Sequence, residues 1–142
     1  MLFWALYLLL LYVVFTDVMY RTIYNITNIC IFITSFSIML VHQTNAPESL
    51  ITLYIFMTPI SLVLFYFGIW GGGDAKLILA VMPALNLDIY LDFLLLMSML
   101  GAIFGIIILM YCRKKRRVKP YMTVPYGVPI ALSTAYQVFI SV

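Results

Sequence analysis

The sequence contains little charge. Only 9% of its 142 residues are charged, whereas 65% are hydrophobic, and the mean hydropathy is +1.12. Soluble domains average about 25% charged residues, and eight basic and five acidic side chains are too few to cover the apolar surface of a water-soluble fold. The composition therefore excludes a soluble protein and predicts a single transmembrane domain over residues 1–142.

Cysteine motifs and a signal peptide are also missing. Neither Cys30 nor Cys112 lies in a CxxC motif, so the sequence offers no zinc or redox site, and we expect no metal and no organic cofactor. The first residues lack the basic stretch and the small-residue cleavage site of a signal peptide. The segment Met1–Thr16 is therefore predicted to be a retained first span.

Six uncharged stretches follow one another along the chain. They are Met1–Thr16, Thr22–Val41, Leu50–Gly73, Leu77–Leu87, Phe93–Cys112 and Tyr121–Val142. Four of them reach the roughly 20 residues that a helix needs to cross a membrane, while the first is somewhat short and the fourth clearly short. The pattern predicts an all-α bundle of about six transmembrane helices, or four or five if the fourth stretch is re-entrant.

The basic residues predict the orientation of this bundle. Every Lys and Arg falls in alternate connections, at residues 17–21, 70–76 and 113–120, and the other connections hold none. The positive-inside rule then places both termini outside. The largest basic group directly follows the fifth uncharged stretch and is therefore expected at the membrane surface, where it suits anionic lipid headgroups better than nucleic acid. Its members are Arg113, Lys114, Lys115, Arg116, Arg117 and Lys119.

The two short stretches predict where two acids lie. A helix of about 11–13 residues rises roughly 16–20 Å, so the fourth helix does not reach the inner surface, and Asp74 at its start lies below that surface. The first stretch, about 24 Å long, leaves Asp17 shallowly submerged on the same side. We therefore expect Asp17 and Asp74 at similar depth near the cytoplasmic face.

Each acid alone has an ordinary structural interpretation. Asp17 could end a helix and pair with Arg21, and Asp74 could cap a helix that begins at Ala75. Together they indicate chemistry, because two carboxyls held close in a low dielectric share one proton, which is the state an aspartyl protease requires. One carboxylate would activate water and the other carboxyl would protonate the scissile carbonyl oxygen.

The residues around Asp74 have two interpretations. Gly71, Gly72 and Gly73 could leave room for a peptide backbone beside the acid, or could serve helix packing. Lys76 is expected to extend towards the inner surface with some electrostatic influence on Asp74. Arg21 is expected to anchor the inner face and to help fix Asp17.

Three motifs resemble one known family. GGGDAKL at residues 71–77, DVMYRTIYN at 17–25 and VPYGVPIAL at 124–132 are similar, in order and spacing, to segments of the type IV prepilin peptidases, which are GxGD intramembrane aspartyl proteases. The closest likeness is to the short form that processes tight-adherence (Flp) pilins. Tyr24 departs from the family pattern, which usually has proline there.

The resemblance implies a function. It predicts a bacterial inner-membrane endopeptidase with catalytic Asp17 and Asp74, which cuts a prepilin leader at the cytoplasmic membrane border. It implies no methyltransferase extension, because the paired CxxC motifs of the longer members are missing. Two alternatives stay open at this point: a small ion- or proton-coupled transporter that uses the two acids as a relay, and a non-catalytic assembly factor for a surface appendage.

Overall fold

The described part of the chain is entirely helical. The computed structural model describes residues 1–42, 47–85, 87–114 and 125–141. Over these ranges there is no strand, and a short 3-10 helix (Met82–Ala84) accompanies six α-helices: α1 (Leu2–Tyr20), α2 (Asn25–His42), α3 (Pro47–Tyr66), α4 (Gly72–Val81), α5 (Leu87–Lys114) and α6 (Gly127–Ser141). The predicted all-α bundle of six helices is confirmed.

Four segments are long and apolar enough to cross a membrane. They are Leu2–Tyr20, Asn25–His42, Glu48–Tyr66 and Ile89–Tyr111. Large apolar side chains point outward along them, such as Ile26, Ile55 and Leu91, which are all more than 60% exposed. In water this surface would be very unfavourable, whereas hydrocarbon accepts it. The chain is therefore a multi-pass membrane protein.

The helix α4 is short and lies at the centre of the bundle. Its ten residues and the 3-10 turn that follows extend about 21 Å, less than the roughly 30 Å of a hydrocarbon core. It packs against α2, α3 and α6, and Leu77, Ile78 and Val81 are almost fully buried. Apolar contact with these neighbours holds a helix that is too short to span by itself.

Two predicted boundaries around α4 are wrong. The connection after the third helix was expected at residues 70–76, but α3 already ends at Tyr66, and α4 begins at Gly72 rather than at Ala75. Gly68 is the cause, because its φ of 69° is a left-handed conformation that ends helices. A count of uncharged residues does not detect this turn, since the turn carries no charge.

The ends of several helices meet at one end of the bundle. Residues from the ends of α1 and α3 and from the beginning of α4 line one cavity together with Pro125, which lies just before α6. The helices therefore alternate in direction. The assignment of this end to the cytoplasm stays a prediction, as does lipid binding by the basic run, because Lys115, Arg116, Arg117 and Lys119 lie outside the described residues.

Candidate active site

Asp17 lies in the last turns of α1 with its side chain inside the protein. It is 6% exposed, and Val13 and Thr16 beside it are also buried. The helix ends at Tyr20 because Arg21 takes a left-handed conformation, with φ 53° and ψ 36°, and its N–H donates to the Asp17 carbonyl oxygen at 3.1 Å. This ending turns the chain towards α2 and leaves the Asp17 carboxyl at the end of the bundle.

The N-terminus of α6 holds the Asp17 carboxyl. The backbone N–H groups of Gly127 and Val128 donate hydrogen bonds to it. Such groups at a helix N-terminus have no partner within the helix and carry the positive end of the helix dipole, so they suit a carboxylate. A Cβ atom on Gly127 would lie 2.6 Å from Asp17 Oδ2. Only glycine therefore allows α6 to approach this closely.

Asp74 lies in the first turn of α4 and is held by its own helix. It is 8% exposed, and its Oδ2 accepts a hydrogen bond from the Gly71 N–H at 3.0 Å. Gly71 is the N-cap residue, with extended φ and ψ. This is the half of a capping box in which the third residue of the helix reaches back to the N-cap N–H. The interpretation of Asp74 as the cap of a helix that begins at Ala75 is therefore wrong, because Gly71 is the N-cap and Asp74 is the third residue of a helix that begins at Gly72.

The two acids share the same cavities. Asp17 and Asp74 both line a cavity of about 300 Å³ and a second of about 270 Å³, and the two carboxyls interact electrostatically. Asp17 Oδ2 and Asp74 Oδ1 are buried and have no hydrogen-bond partner in the described part of the chain. Buried polar atoms are nearly always partnered. Each acid therefore keeps one carboxyl oxygen whose hydrogen-bonding capacity the described residues do not use.

The three glycines before Asp74 line a cavity and also allow close packing of α4 against its neighbours. All three line the smaller cavity. A Cβ on Gly73 would lie 2.9 Å from Ile23 Cβ, and one on Gly72 would lie 3.4 Å from the Phe65 ring. Gly73 thus allows α4 to approach the segment between α1 and α2, which favours the packing interpretation at this position.

The two basic residues near the acids have different surroundings. Arg21 lines both cavities and attracts the Asp17 carboxylate electrostatically. Lys76 lines neither cavity, and its Nζ instead donates to Asn25 Oδ1 at 2.9 Å. Arg21 is therefore the basic residue of the site, while Lys76 belongs to a neighbouring groove.

Sequence reasoning assigned no role to Gly127. The segment 124–132 entered only as part of a family resemblance. Gly101 on α5 has a similar role, since a Cβ on it would lie 3.0 Å from the Tyr126 ring. Its lack of a side chain lets Tyr126, the residue before α6, pack against α5. The available signal was a glycine inside the last uncharged stretch, which begins at Tyr121. This signal is weak, because the contact of Gly127 with Asp17 depends on the tertiary fold.

No metal-ligand cluster accompanies the acids. In residues 1–42, 47–85, 87–114 and 125–141, no group of three or more His, Cys, Asp or Glu side chains could hold a metal ion. The chemistry that these residues can perform is proton transfer between two carboxyls and a molecule held between them.

Comparison with known proteins identifies a family. The sequence model of the type IV leader peptidase family matches residues 4–106, a range that contains both acids, Arg21 and the three glycines but not α6. Neither a curated protein nor a solved structure matches the chain.

Proposed function

The chain belongs to the type IV leader peptidase family, and on this premise we propose that it is an intramembrane aspartyl endopeptidase that uses Asp17 and Asp74. Membership of the family supports a leader peptidase, and it implies prepilins as the substrates. One observation supports the aspartyl mechanism above the rest: both carboxyls line one cavity, and each keeps a buried oxygen without a hydrogen-bond partner among the described residues.

The mechanism follows from carboxyl chemistry. The two acids share one proton, so one is a carboxylate and the other a carboxylic acid. The carboxylate removes a proton from water, and the resulting hydroxyl attacks the carbonyl carbon of the peptide bond. The carboxylic acid protonates the carbonyl oxygen, which gives a tetrahedral diol. As the C–N bond breaks, the carboxyl that took the proton of water donates it to the leaving amine nitrogen, and the other carboxyl takes a proton from a diol hydroxyl, so that the pair again holds one proton. The pair is treated as one titrating unit, with neither role given to a particular acid.

We further propose where the cleavage occurs. The substrate is a prepilin of the Flp type, and the cut lies at the cytoplasmic border of the bacterial inner membrane, between the leader and an apolar helix. The proposal is supported by the position of the acids at the end of the bundle, where residues 21–24 and 67–71 connect helices. A cavity at this end is accessible to water without a path across the bilayer. Arg21 and the three glycines shape the site.

The experiment is co-expression with a Flp-type prepilin. The wild-type chain should shorten the precursor by its leader, visible as a size shift on a gel. Asp17→Asn and Asp74→Asn should each leave the precursor uncut, because an amide can neither accept the proton of water nor donate a carboxyl proton. Asp92→Asn is the matched control, since Asp92 is an exposed acid on α5.

The outcomes separate the proposed function from its alternatives. Normal cutting by either the Asp17 or the Asp74 variant would contradict the aspartyl pair. A precursor that is processed equally well without this chain would contradict the peptidase role for that prepilin and favour the transporter or assembly alternatives.

A further inference from the structure

A groove separate from the two acid-lined cavities lies between α2, α3 and α4. Its volume is about 430 Å³, which lies within the range of small-molecule sites. The residues that line it include Asn25, Asn28, Ile29, Phe32, Tyr54, Lys76 and Leu79. The proposed reaction assigns this groove no task. Neither Asp17 nor Asp74 lines it.

The groove is polar at one end and apolar along the rest. Asn25, Asn28 and Lys76 come from the beginnings of α2 and α4. These two helices lie side by side there, because Asn28 Nδ2 donates to the Gly73 carbonyl oxygen at 3.4 Å and Lys76 donates to Asn25. Ile29 and Phe32 lie further along α2, as Leu79 lies further along α4. The polar end is therefore adjacent to Gly73 and Asp74, and the apolar part extends away from them.

An unpartnered acceptor lies at the polar end. Asn28 is 95% buried, given its 5% exposed surface, and its Oδ1 has no hydrogen-bond partner among the described residues. The hydroxyl of Tyr54, by contrast, already donates to the Leu79 carbonyl oxygen at 2.8 Å. A buried acceptor without a partner is costly, so the occupant of the groove should bring an N–H or O–H donor to this point.

This requirement distinguishes a peptide from an acyl chain. An acyl chain would fill the apolar part but has no donor for Asn28. The first turn of an apolar helix has free backbone N–H groups at its start and apolar side chains beyond. The groove has the same order, polar beside Asp74 and apolar beyond it. A substrate helix bound in the groove would therefore begin next to the two acids.

We propose that this groove binds the first turns of the apolar helix of the peptidase substrate, an inference that rests on the proposed function. The groove holds a few side chains, and the remainder of the substrate helix lies against lipid. The peptide bond that precedes the helix is then placed at Asp17 and Asp74. Asn28 accepts a backbone N–H of the substrate, and Phe32 contacts its apolar side chains.

The direct test is photo-crosslinking. A benzoylphenylalanine is introduced at Phe32 in an Asp74→Asn background, so that a co-expressed Flp-type prepilin stays uncut. The control position is Phe56 on α3, which is 64% exposed and does not line the groove. Illumination should link position 32 to the apolar segment of the prepilin and should give no prepilin adduct at position 56.

A kinetic measurement tests the groove without the benzoylphenylalanine probe, whose bulk could itself disturb the groove. Phe32→Ala, with residue 74 unchanged, should lower kcat/KM for the prepilin about tenfold through a higher KM, because it removes a buried apolar contact. Phe56→Ala should change kcat/KM less than about twofold on the same basis, since its side chain stays in contact with lipid.

Each result has one meaning. Lipid adducts alone at position 32, equal prepilin adducts at positions 32 and 56, or an unchanged KM in Phe32→Ala would overturn the groove assignment while wild-type cutting continued. Failure of the wild-type chain to cut the prepilin would overturn the proposed function itself, and the two failures are therefore distinguishable.

Discussion

The two acids of the site are held in different ways. Asp74 is held by its own helix, through a hydrogen bond from Gly71 three residues earlier. Asp17 is held by a helix from the other end of the chain, through the N–H groups of Gly127 and Val128. The first arrangement forms with the first turn of α4, whereas the second requires α6 to dock against α1.

This difference makes α6 part of the site although it carries neither acid. Its docking depends on close approach, since a Cβ on Gly127 would lie 2.6 Å from Asp17 Oδ2. Further along the two helices, the Tyr7 hydroxyl donates to the Ala135 carbonyl oxygen at 3.4 Å. Changes at the beginning of α6 should therefore act first on Asp17, while the hydrogen bond from Gly71 to Asp74 stays in place.

The largest effect is expected from removal of either acid. In purified protein reconstituted in vesicles, Asp17→Asn and Asp74→Asn should each lower kcat at least about 10³-fold, because each takes part in proton transfer. The double variant should be no slower than either single variant, since the two acids act as one unit. Asp92→Asn is the control. Losses that multiply in the double variant would show that the acids act independently.

The next largest effect tests the contact between α6 and Asp17. Gly127→Ala should lower kcat about 10²-fold, because its Cβ displaces the Asp17 carboxyl, and a misplacement of about 1 Å has a cost of this size. KM should change little, and helical content measured by circular dichroism should stay at the wild-type level. Wild-type kcat in this variant would contradict the close approach of α6.

A smaller effect is expected at the packing of α4. Gly73→Ala brings a Cβ to within 2.9 Å of Ile23 Cβ, and such overpacking costs about 1–3 kcal/mol. The melting temperature of the detergent-solubilised protein should fall, with a partial loss of prepilin cutting, because Asp74 follows Gly73 directly. An unchanged melting temperature would show that α4 does not pack tightly at this position.

The smallest effect is expected one residue earlier. Gly72→Ala meets the Phe65 ring at 3.4 Å, a contact that a small ring movement relieves, and alanine favours a helix by about 0.5–1 kcal/mol over glycine. The melting temperature should rise slightly and cutting should stay near the wild-type rate. A loss of activity equal to that of Gly73→Ala would indicate that Gly72 itself is needed beside the substrate.

Some features of the fold and the site can be predicted from the sequence, because they depend on hydropathy and on segment length alone. Uncharged stretches give the six helices, and the short fourth stretch between Lys76 and Asp88 predicts the short α4. The shared position of Asp17 and Asp74 at one end of the bundle follows from the alternation of helix directions.

Other features depend on tertiary contacts or on backbone conformation. The end of α3 at Tyr66 depends on the left-handed Gly68, which no hydropathy count detects. The role of Gly127 depends on its distance from Asp17 in the folded bundle, and the pairing of Lys76 with Asn25 depends on the first turns of α2 and α4 lying side by side. Spacing along the chain carries no information on these contacts.

One binding measurement tests the aspartyl pair most directly. A prepilin-derived peptide with a secondary alcohol in place of the scissile carbonyl imitates the tetrahedral intermediate, which both carboxyls should contact together. It should bind the purified protein at least about 100-fold more tightly than the same peptide without the hydroxyl group, as transition-state analogues do. Asp17→Asn and Asp74→Asn should each abolish this difference. Equal affinity for the two peptides, or a difference that persists in either variant, would contradict a catalytic pair formed by Asp17 and Asp74.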